Sequence, residues 1–561
     1  MYEPSNNEAE KDRHAVVQEI ERYLARTSSH LHGIAARTPA RMVAAEVERL
    51  NTAVRAVAEV GISPFAHPGD FLLELARAAH PCGAAPDRAS KRPQTTTRPV
   101  GAMPSLAEAA RSMQAGQVTS EQLTEQALAR ATQTQPTLNA FIDIWADKAL
   151  ERARQMDRER ADGRCRGPLH GIPLAHKDCF EIAGHAATVG SRARPVALAE
   201  RDARVIEMLD DAGAVTLGTL NMNEMVAGPT GQNPIFGDCC NALDPSRISG
   251  GSSSGSGAAV AAGAIFGSLG SDTGGSIRLP ASVNGLFGLK PTYGRISRRG
   301  CFPRAFSLDC PGPLARTAED CALLLHAVAG HDPEDPSSLD VPVPDYPALL
   351  KSAADGSRVA TLNLAGADAC DPEIAAVFEA FLARVEACHG TVRAVDFTEL
   401  SACYALGDVI SKVEAATLHG QWMRANPQAY SQAVYSRTEP GLHVPAVRYL
   451  EALVVRANLL QAFLAGPLSQ ADILVCPTVP IPVPLRAEAD MEKQGSVFDI
   501  VAALTRLTRP FSYLGVPVLT MPVGQDRNGM PVGAQIIGRP LDEARLLSFA
   551  HRLSAADGWS A

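Results

Sequence analysis

Between Gly250 and Pro280 the chain reads GGSSSGSGAAVAAGAIFGSLGSDTGGSIRLP, two serine–glycine clusters joined by an apolar, alanine-rich segment. Glycine lets a backbone curve tightly and bring its N–H groups close to a ligand, and a serine hydroxyl can act as nucleophile or proton carrier. The chemistry this composition suits is acyl transfer through a serine. In Asp272-Thr273-Gly274-Gly275-Ser276 the two glycines permit a bend that turns successive N–H groups toward one point beside the Ser276 hydroxyl. One such donor stabilises a developing oxyanion by about 3 kcal/mol. A glycine turn with a capping serine is the commoner use of such a pentapeptide, so the motif needs a partner before it means catalysis.

That partner must be a base. None of the fourteen histidines sits in a nucleophile-elbow context, and the nominal GxSxG at Gly251-Ser252-Ser253-Ser254-Gly255 is what a Gly/Ser-rich run produces by composition. A lysine can replace histidine where burial lowers its pKa enough to keep it neutral. Lys177 is the candidate: it follows the apolar Pro173-Leu174-Ala175-His176 and precedes Asp178. Lysines at strand ends usually point into solvent, so this residue decides nothing alone.

Such groups need a rigid bed. Residues Ala258 to Leu269 read as a buried helix followed by a turn or strand. From Ser105 onward helix-like and strand-like segments alternate. SLAEAARSMQAG and SEQLTEQALARATQ are amphipathic, the second starting at Ser120 with Gln122 and Glu125 as capping help. GIPLAHKD, AVTLGTLNM, RVATLNL, TVRAVDF, DILVCPTV, VPVLTMPVG and VGAQIIG read as strands. The alternation predicts an α/β layer structure with a mixed sheet over residues 105–561. Residues 1–80 carry apolar spacings of three and four and predict a small N-terminal all-α domain. Residues 81–104, rich in proline, threonine and basic side chains, read as a linker. The weakly patterned stretch 398–448 suits a cap or pocket wall, and a surface excursion equally well.

With 46% hydrophobic and 20% charged residues among 561, the composition is that of an ordinary globular protein. A net charge of −9 argues against a nucleic-acid or anionic-membrane partner, since both bind basic surfaces. No transmembrane span and no secretory leader are expected. The twelve cysteines include no CxxC pair and no Cys/His grouping at zinc spacing. Free thiols in a reducing cytoplasm, no metal and no cofactor are therefore expected, with a vicinal Cys239–Cys240 disulfide as the alternative.

LAHKDCF, GGSSSGSGAAVAAG, GSDTGGSIRLPAS and GLKPTYGRIS, in that order, resemble the amidase signature family. The likeness runs over nearly all of Ser105 to Trp559, including GQNPIFG and PVGAQIIG. It implies the amidase signature fold, in which helices cover both faces of a mixed central sheet, and a Ser–cis-Ser–Lys catalytic unit. Matched motif by motif, that unit falls on Lys177, Ser252 and Ser276. Ser276 would attack the amide carbonyl, and Ser252, held after a cis peptide bond from Gly251, would pass the proton between Ser276 and neutral Lys177. Backbone N–H groups of Thr273, Gly274, Gly275 and Ser276 would form the oxyanion hole. Asp272 and Arg278 would brace that loop, and Ser253 would support it by hydrogen bonding.

The family's substrates span fatty-acid amides, aryl amides, dicarboxylic half-amides, urea-derived amides and the glutaminase step of transamidation on charged tRNA. The expectation carried forward is hydrolysis of a small linear or aryl amide. The alternatives are a glutaminase of the amidotransferase A type serving a partner protein, and a carboxybiuret-like ureido-amide hydrolase. Candidate pocket residues are Met225, Ala227, Thr230 and Gln232, with the segment around Trp422 and Tyr435. The N-terminal helices lie apart from every motif. They are expected to form a dimerisation arm, and hence a homodimer, or a fused counterpart of the small helical subunits that some family members require.

Overall fold

Near-continuous apolar runs such as ILVCP, VLTMPV and PVGAQII suit strands buried on both faces, and these three lie side by side in the middle of the larger sheet. The computed structural model describes residues 17–24, 32–34, 37–62, 66–78, 103–194, 197–354, 356–490, 492 and 497–556. A small sheet contains β1 (Phe141–Ile144), β2 (Pro173–Lys177) and β3 (Val215–Leu220) in the order β1-β3-β2, with β2 parallel to β3. The larger sheet contains β4 (Gly267–Asp272), β5 (Phe287–Lys290), β6 (Cys310–Ala315), β7 (Val359–Leu362), β8 (Arg393–Val395), β9 (Ile473–Pro477), β10 (Val518–Gln525) and β11 (Pro531–Ile537). Its order is β4-β6-β5-β10-β11-β9-β7-β8, antiparallel as far as β9 and parallel beyond it. The class is α/β with mixed sheets, and each of the seven segments expected as strands supplies one. β1, β5 and β6 are additional, and β4 takes the place of the turn or strand expected at the end of Ala258 to Leu269. β6 reads CPGPLA, too rich in glycine and proline to show a strand pattern.

The helices that position the site are α1 (Ala40–Gly61), α2 (Asp70–Arg77), α3 (Leu106–Gln114), α4 (Ser120–Leu138), α5 (Ser254–Ala261), α6 (Arg278–Val283), α7 (Leu400–Ala425), α8 (Gln432–Thr438), α9 (Ala446–Ala465) and α10 (Arg509–Leu514). The cap of α4 is Thr119 rather than Ser120. Thr119 has the extended backbone a cap needs and exchanges two bonds with Gln122, at 3.1 and 3.0 Å. Ser120 lies inside the helix and donates its hydroxyl hydrogen to the Gly171 carbonyl at 2.8 Å.

The weak pattern of 398–448 has a physical cause. α7 buries residues on several sides, among them Leu406, Gly407, Val409, Ile410 and Ala415, so no polar face marks its period. It forms a wall of the main cleft rather than a surface excursion. α1 and α2 dock on α7 and α9. Leu50, Val54, Phe71 and Leu75 share one core with Leu406, Val409, Val455 and Leu459. Burying each such side chain contributes about 1.5–3 kcal/mol. The sequence reads 1–80 as a domain apart from every motif, whereas its described part packs on the body that carries them. The expected linker, 81–104, lies outside the described residues except for Met103 and Pro104.

One segment, Ala446–Gln470, is long and apolar enough to cross a membrane, with a mean hydropathy of 1.3. Of that window 56% is buried inside the protein, and α9 packs on α1, α2 and α7. Every described cysteine is a free thiol, Cys239 and Cys240 included.

Candidate active site

β2 delivers Lys177 at its C-terminal end, and β4 packs beside β2. Lys177 Nζ donates to Ser252 Oγ at 2.7 Å and to Ser271 Oγ at 2.9 Å. Among the described residues no carboxylate pairs with it, and its side chain is buried. Burial therefore pushes its pKa below the ordinary lysine value. The neighbouring His176 accepts the Leu269 N–H at 3.2 Å, and burial holds it neutral with a pKa of about 3.

The Gly251–Ser252 peptide bond is cis. Only glycine fits at 251, because a Cβ there would stand 1.9 Å from Asn223 Oδ1. Asn223 clamps this turn. Its N–H donates to the Ser252 carbonyl at 3.2 Å, its Oδ1 accepts the Gly231 N–H at 2.9 Å, and its Nδ2 donates to the Gln232 carbonyl at 2.8 Å. Ser253 ties the two serine clusters together. Its N–H donates to the Ser276 carbonyl at 3.3 Å, and its Oγ donates to the Ser271 carbonyl at 3.3 Å.

Ser276 follows the turn between β4 and α6. It is 9% exposed and opens on a cleft of about 510 Å³, whereas Ser252 (0%) and Lys177 (1%) are sealed. Gly275 has φ +135°, and a Cβ there would stand 2.5 Å from Thr508 Oγ1. Thr508 in turn donates to the Gly274 carbonyl at 2.6 Å. The four expected oxyanion donors do not stand alike. The Gly275 N–H is committed to Asp272 Oδ1 at 2.7 Å, which leaves those of Thr273, Gly274 and Ser276. Asp272 and Arg278 form a fully buried bidentate pair at 2.9 and 3.0 Å. Burial alone would raise the Asp272 pKa, but the Arg278 guanidinium overrides it and holds the carboxyl at about 2. Arg278 also donates to the Thr508 carbonyl, Gln535 Oε1 and Ser512 Oγ at 2.7–2.8 Å, so the loop is framed from two further segments, the start of α10 and β11.

Of the pocket residues expected from the sequence, Ala227 lines the cleft. Gln232 lines an adjoining cavity of about 680 Å³ that also touches Ala227. Met225 and Thr230 line neither. The 3-10 turn Glu224–Val226 packs Met225 into the main core, and Thr230 is buried with its hydroxyl oxygen accepting the Gln232 N–H at 3.4 Å. Trp422 and Tyr435 line neither cavity. Trp422 stacks on Phe302, and Tyr435 lies under the Arg37 guanidinium.

What the sequence reading missed is Ser271 and the charged wall. Among the described residues, Arg304, Lys412, Arg437 and Arg509 line the cleft with Ser276, against one carboxylate, Asp408. Asp408 pairs with Arg509 at 2.9 Å, with Lys412 at 2.5 Å and with Arg49. Burial would raise its pKa, but these cations hold it well below the usual carboxylate range. Arg304 and Arg437 differ, since among the described residues neither has a carboxylate within ion-pair distance. Burial, and next the charge of Arg437, lowers the Arg304 pKa to about 9. Burial, and next the charge of Arg509, lowers that of Arg437, whose Nε is buried without a hydrogen-bond partner. No motif announces these residues, because they arrive from four separated stretches.

A family model described as Amidase matches residues 122–547. The A-type subunit of the glutamyl-tRNA(Gln) amidotransferase of Thermosynechococcus vestitus is 36% identical over 461 residues, which is 78% of this chain and 95% of that protein. A solved structure described as a vestigial protein complex that reveals the evolutionary origins of an s-triazine catabolic enzyme is 34% identical. It covers 80% of this chain and 98% of its own, with a TM-score of 0.75. The peptide amidase of Stenotrophomonas maltophilia is 31% identical, covering 80% of this chain and 96% of its own at a TM-score of 0.65. Lys177, Ser252 and Ser276 lie inside the matched stretch, whereas α1 and α2 precede it.

Proposed function

The chain belongs to the amidase family, and from that premise we propose an amidohydrolase whose small linear substrate carries a negative charge near the scissile amide. Ser276 attacks the carbonyl and forms the acyl-enzyme. The proton leaving Ser276 passes to Ser252 while Ser252 gives its own to the lone pair of neutral Lys177. The relay then runs backward to protonate the departing nitrogen, and water enters by the same route to release the acid. Lys177 suits the role because it is buried against the Ser252 and Ser271 hydroxyls, at 2.7 Å from Ser252. Among the described residues no carboxylate stands within ion-pair distance of it, and burial outweighs the more distant Asp309 and Asp272. The N–H groups of Thr273, Gly274 and Ser276 receive the oxyanion, and Asp272 with Arg278 keeps their loop rigid.

The observation that carries the charge of the substrate is the Arg304–Arg437 pair beside Ser276, Arg304 buried and Arg437 partly so, neither with a carboxylate within ion-pair distance among the described residues. Buried cations are stable when something neutralises them, and an anionic substrate does so. An uncharged aryl amide would leave them uncompensated. A carboxylated ureido amide meets the same requirement as a dicarboxylic half-amide.

A second reading is favoured by the 36% identity to the amidotransferase protein, namely that glutamine is the substrate and a partner protein takes the ammonia. Glutamine also brings an ammonium, and among the described residues the one carboxylate lining this cleft, Asp408, is already paired three times. The first reading therefore stands ahead. Ammonia release from a half-amide such as succinamate, from its uncharged isosteric amide and from glutamine separates the two. The half-amide should give the highest kcat/KM. Equal rates on charged and uncharged amides would remove the anionic substrate, and glutamine fastest would install the second reading. Assembly is proposed as a homodimer in a reducing cytoplasm, which sedimentation of the purified chain checks against a monomer or a need for a second protein.

A further inference from the structure

α1 reaches the charged wall although it lies before the family match. Arg49 donates from Nε and Nη2 to the two Glu46 oxygens at 2.7 and 2.8 Å, and from Nη2 to Asp408 Oδ2. Lys412 bridges the same two carboxylates, 2.6 Å from Glu46 and 2.5 Å from Asp408. Arg509 takes the other Asp408 oxygen at 2.9 Å. Asp408, Lys412 and Arg509 line the cleft with Ser276, while Arg49 and Glu46 stand behind them.

A carboxylate in this wall would work against an anionic substrate in two ways. It repels the incoming charge, and it draws Lys412 and Arg509 toward itself. A third cation on Asp408, supplied from behind, reduces both effects without occupying the cleft. Glu46 holds that cation in place through both of its oxygens.

We propose that Arg49 is a positioning residue for substrate specificity: by neutralising Asp408 from the N-terminal helix, it lessens both the repulsion of Asp408 toward the anionic group of the substrate and its hold on Lys412 and Arg509. The inference rests on the anionic-substrate reading. It makes the N-terminal helices part of the site's electrostatics rather than an appendage.

The test uses the full chain and compares KM and kcat on succinamate and on its uncharged isosteric amide. Arg49→Met should raise KM for succinamate about tenfold, with kcat within about twofold and the uncharged amide little affected. Arg49→Lys, which keeps the charge, should recover most of the loss. Adding Asp408→Asn to Arg49→Met should also recover most of it, because the carboxylate that faces the incoming anion is then gone. A merely structural Arg49 would lower the melting temperature without moving the KM ratio between the two amides. That outcome, in a folded Arg49→Met protein, overturns the proposal. Should Arg49→Met fail to fold, the double variant decides: a KM ratio near wild type supports the proposal, and a tenfold shift overturns it. A wild-type enzyme without preference for succinamate removes the substrate reading itself, whereas a wild-type preference that Arg49→Met leaves intact removes only the role of Arg49.

Discussion

On one side of the cleft Lys177 lies among hydroxyls, with Ser252 and Ser271 as its partners; on the other, Lys412 lies between Glu46 and Asp408. Both lysines are largely buried, yet their surroundings differ. Burial drives Lys177 toward the neutral amine, since among the described residues no carboxylate stands within ion-pair distance to oppose it. Around Lys412 the cations instead hold Glu46 at about 2 and Asp408 well below the carboxylate range, so the carboxylates stay ionised. Burial does not set a group's charge alone; the partners it brings along do. One region is suited to moving protons and the other to holding a charged substrate, and separate experiments can break each.

The largest effect is expected in the neutral region. Ser276→Ala should cut turnover by at least about 10³-fold with the fold intact by circular dichroism. Wild-type-like turnover would remove Ser276 as nucleophile. Lys177→Met should cost nearly as much, and the wild-type rate should climb as pH rises through the lowered folded pKa of Lys177, because the neutral amine is the working form. The linkage to stability has a definite sign. The folded pKa lies below the unfolded value of about 10.4, so the unfolded chain binds more protons and the buried amine costs stability at neutral pH, a cost that fades as pH rises toward 10.4. Lys177→Met should therefore raise the melting temperature at pH 7 while abolishing activity, and a fall would contradict the burial argument.

Next in size is the frame between the two regions. Arg278→Met strands the fully buried Asp272 and should destabilise the protein by about 3–5 kcal/mol in urea titrations. In the wild type Asp272 is held at about 2, so its contribution is complete above the unfolded value of about 3.9 and disappears as pH falls toward 2. The charged region should respond more selectively. Arg437→Met should raise KM for succinamate about thirtyfold, roughly 2 kcal/mol, with a much smaller change on the uncharged amide. A uniform loss on both substrates would mean that Arg437 serves the catalytic region instead. The smallest expected effect is none: EDTA should leave the rate unchanged, and loss with recovery on zinc would replace the lysine relay.

The unequal legibility of the two regions follows from chain distance. HKD, GGSSSGSG and DTGGSIR are short runs in which each residue is constrained by its neighbours, as the space at Gly251 and the φ of Gly275 illustrate, so their pattern survives in the linear text. The strands around them are equally readable, since β9, β10 and β11 are near-continuous apolar runs in which Thr520, Gln525 and Gln535 are the polar exceptions. Ser271 escapes because β4 reads GSLGSD, where close packing against the serine cluster replaces the usual β-branched residues. The four pocket candidates of 225–232 divide unevenly because adjacency to a motif does not say which way a side chain turns.

From the sequence one reads the α/β class and the family, and the resemblance to that family implies the three side chains proposed to carry the chemistry, because local steric and hydrogen-bond demands write themselves into contiguous motifs. Only the folded chain brings Arg304, Asp408, Lys412, Arg437 and Arg509 to one cleft and sets Arg49 and Glu46 behind them. Charge acts through space, and an ion pair between residues 49 and 408 places no constraint on either one's neighbours in sequence. The region proposed to choose the substrate was therefore decided by tertiary packing.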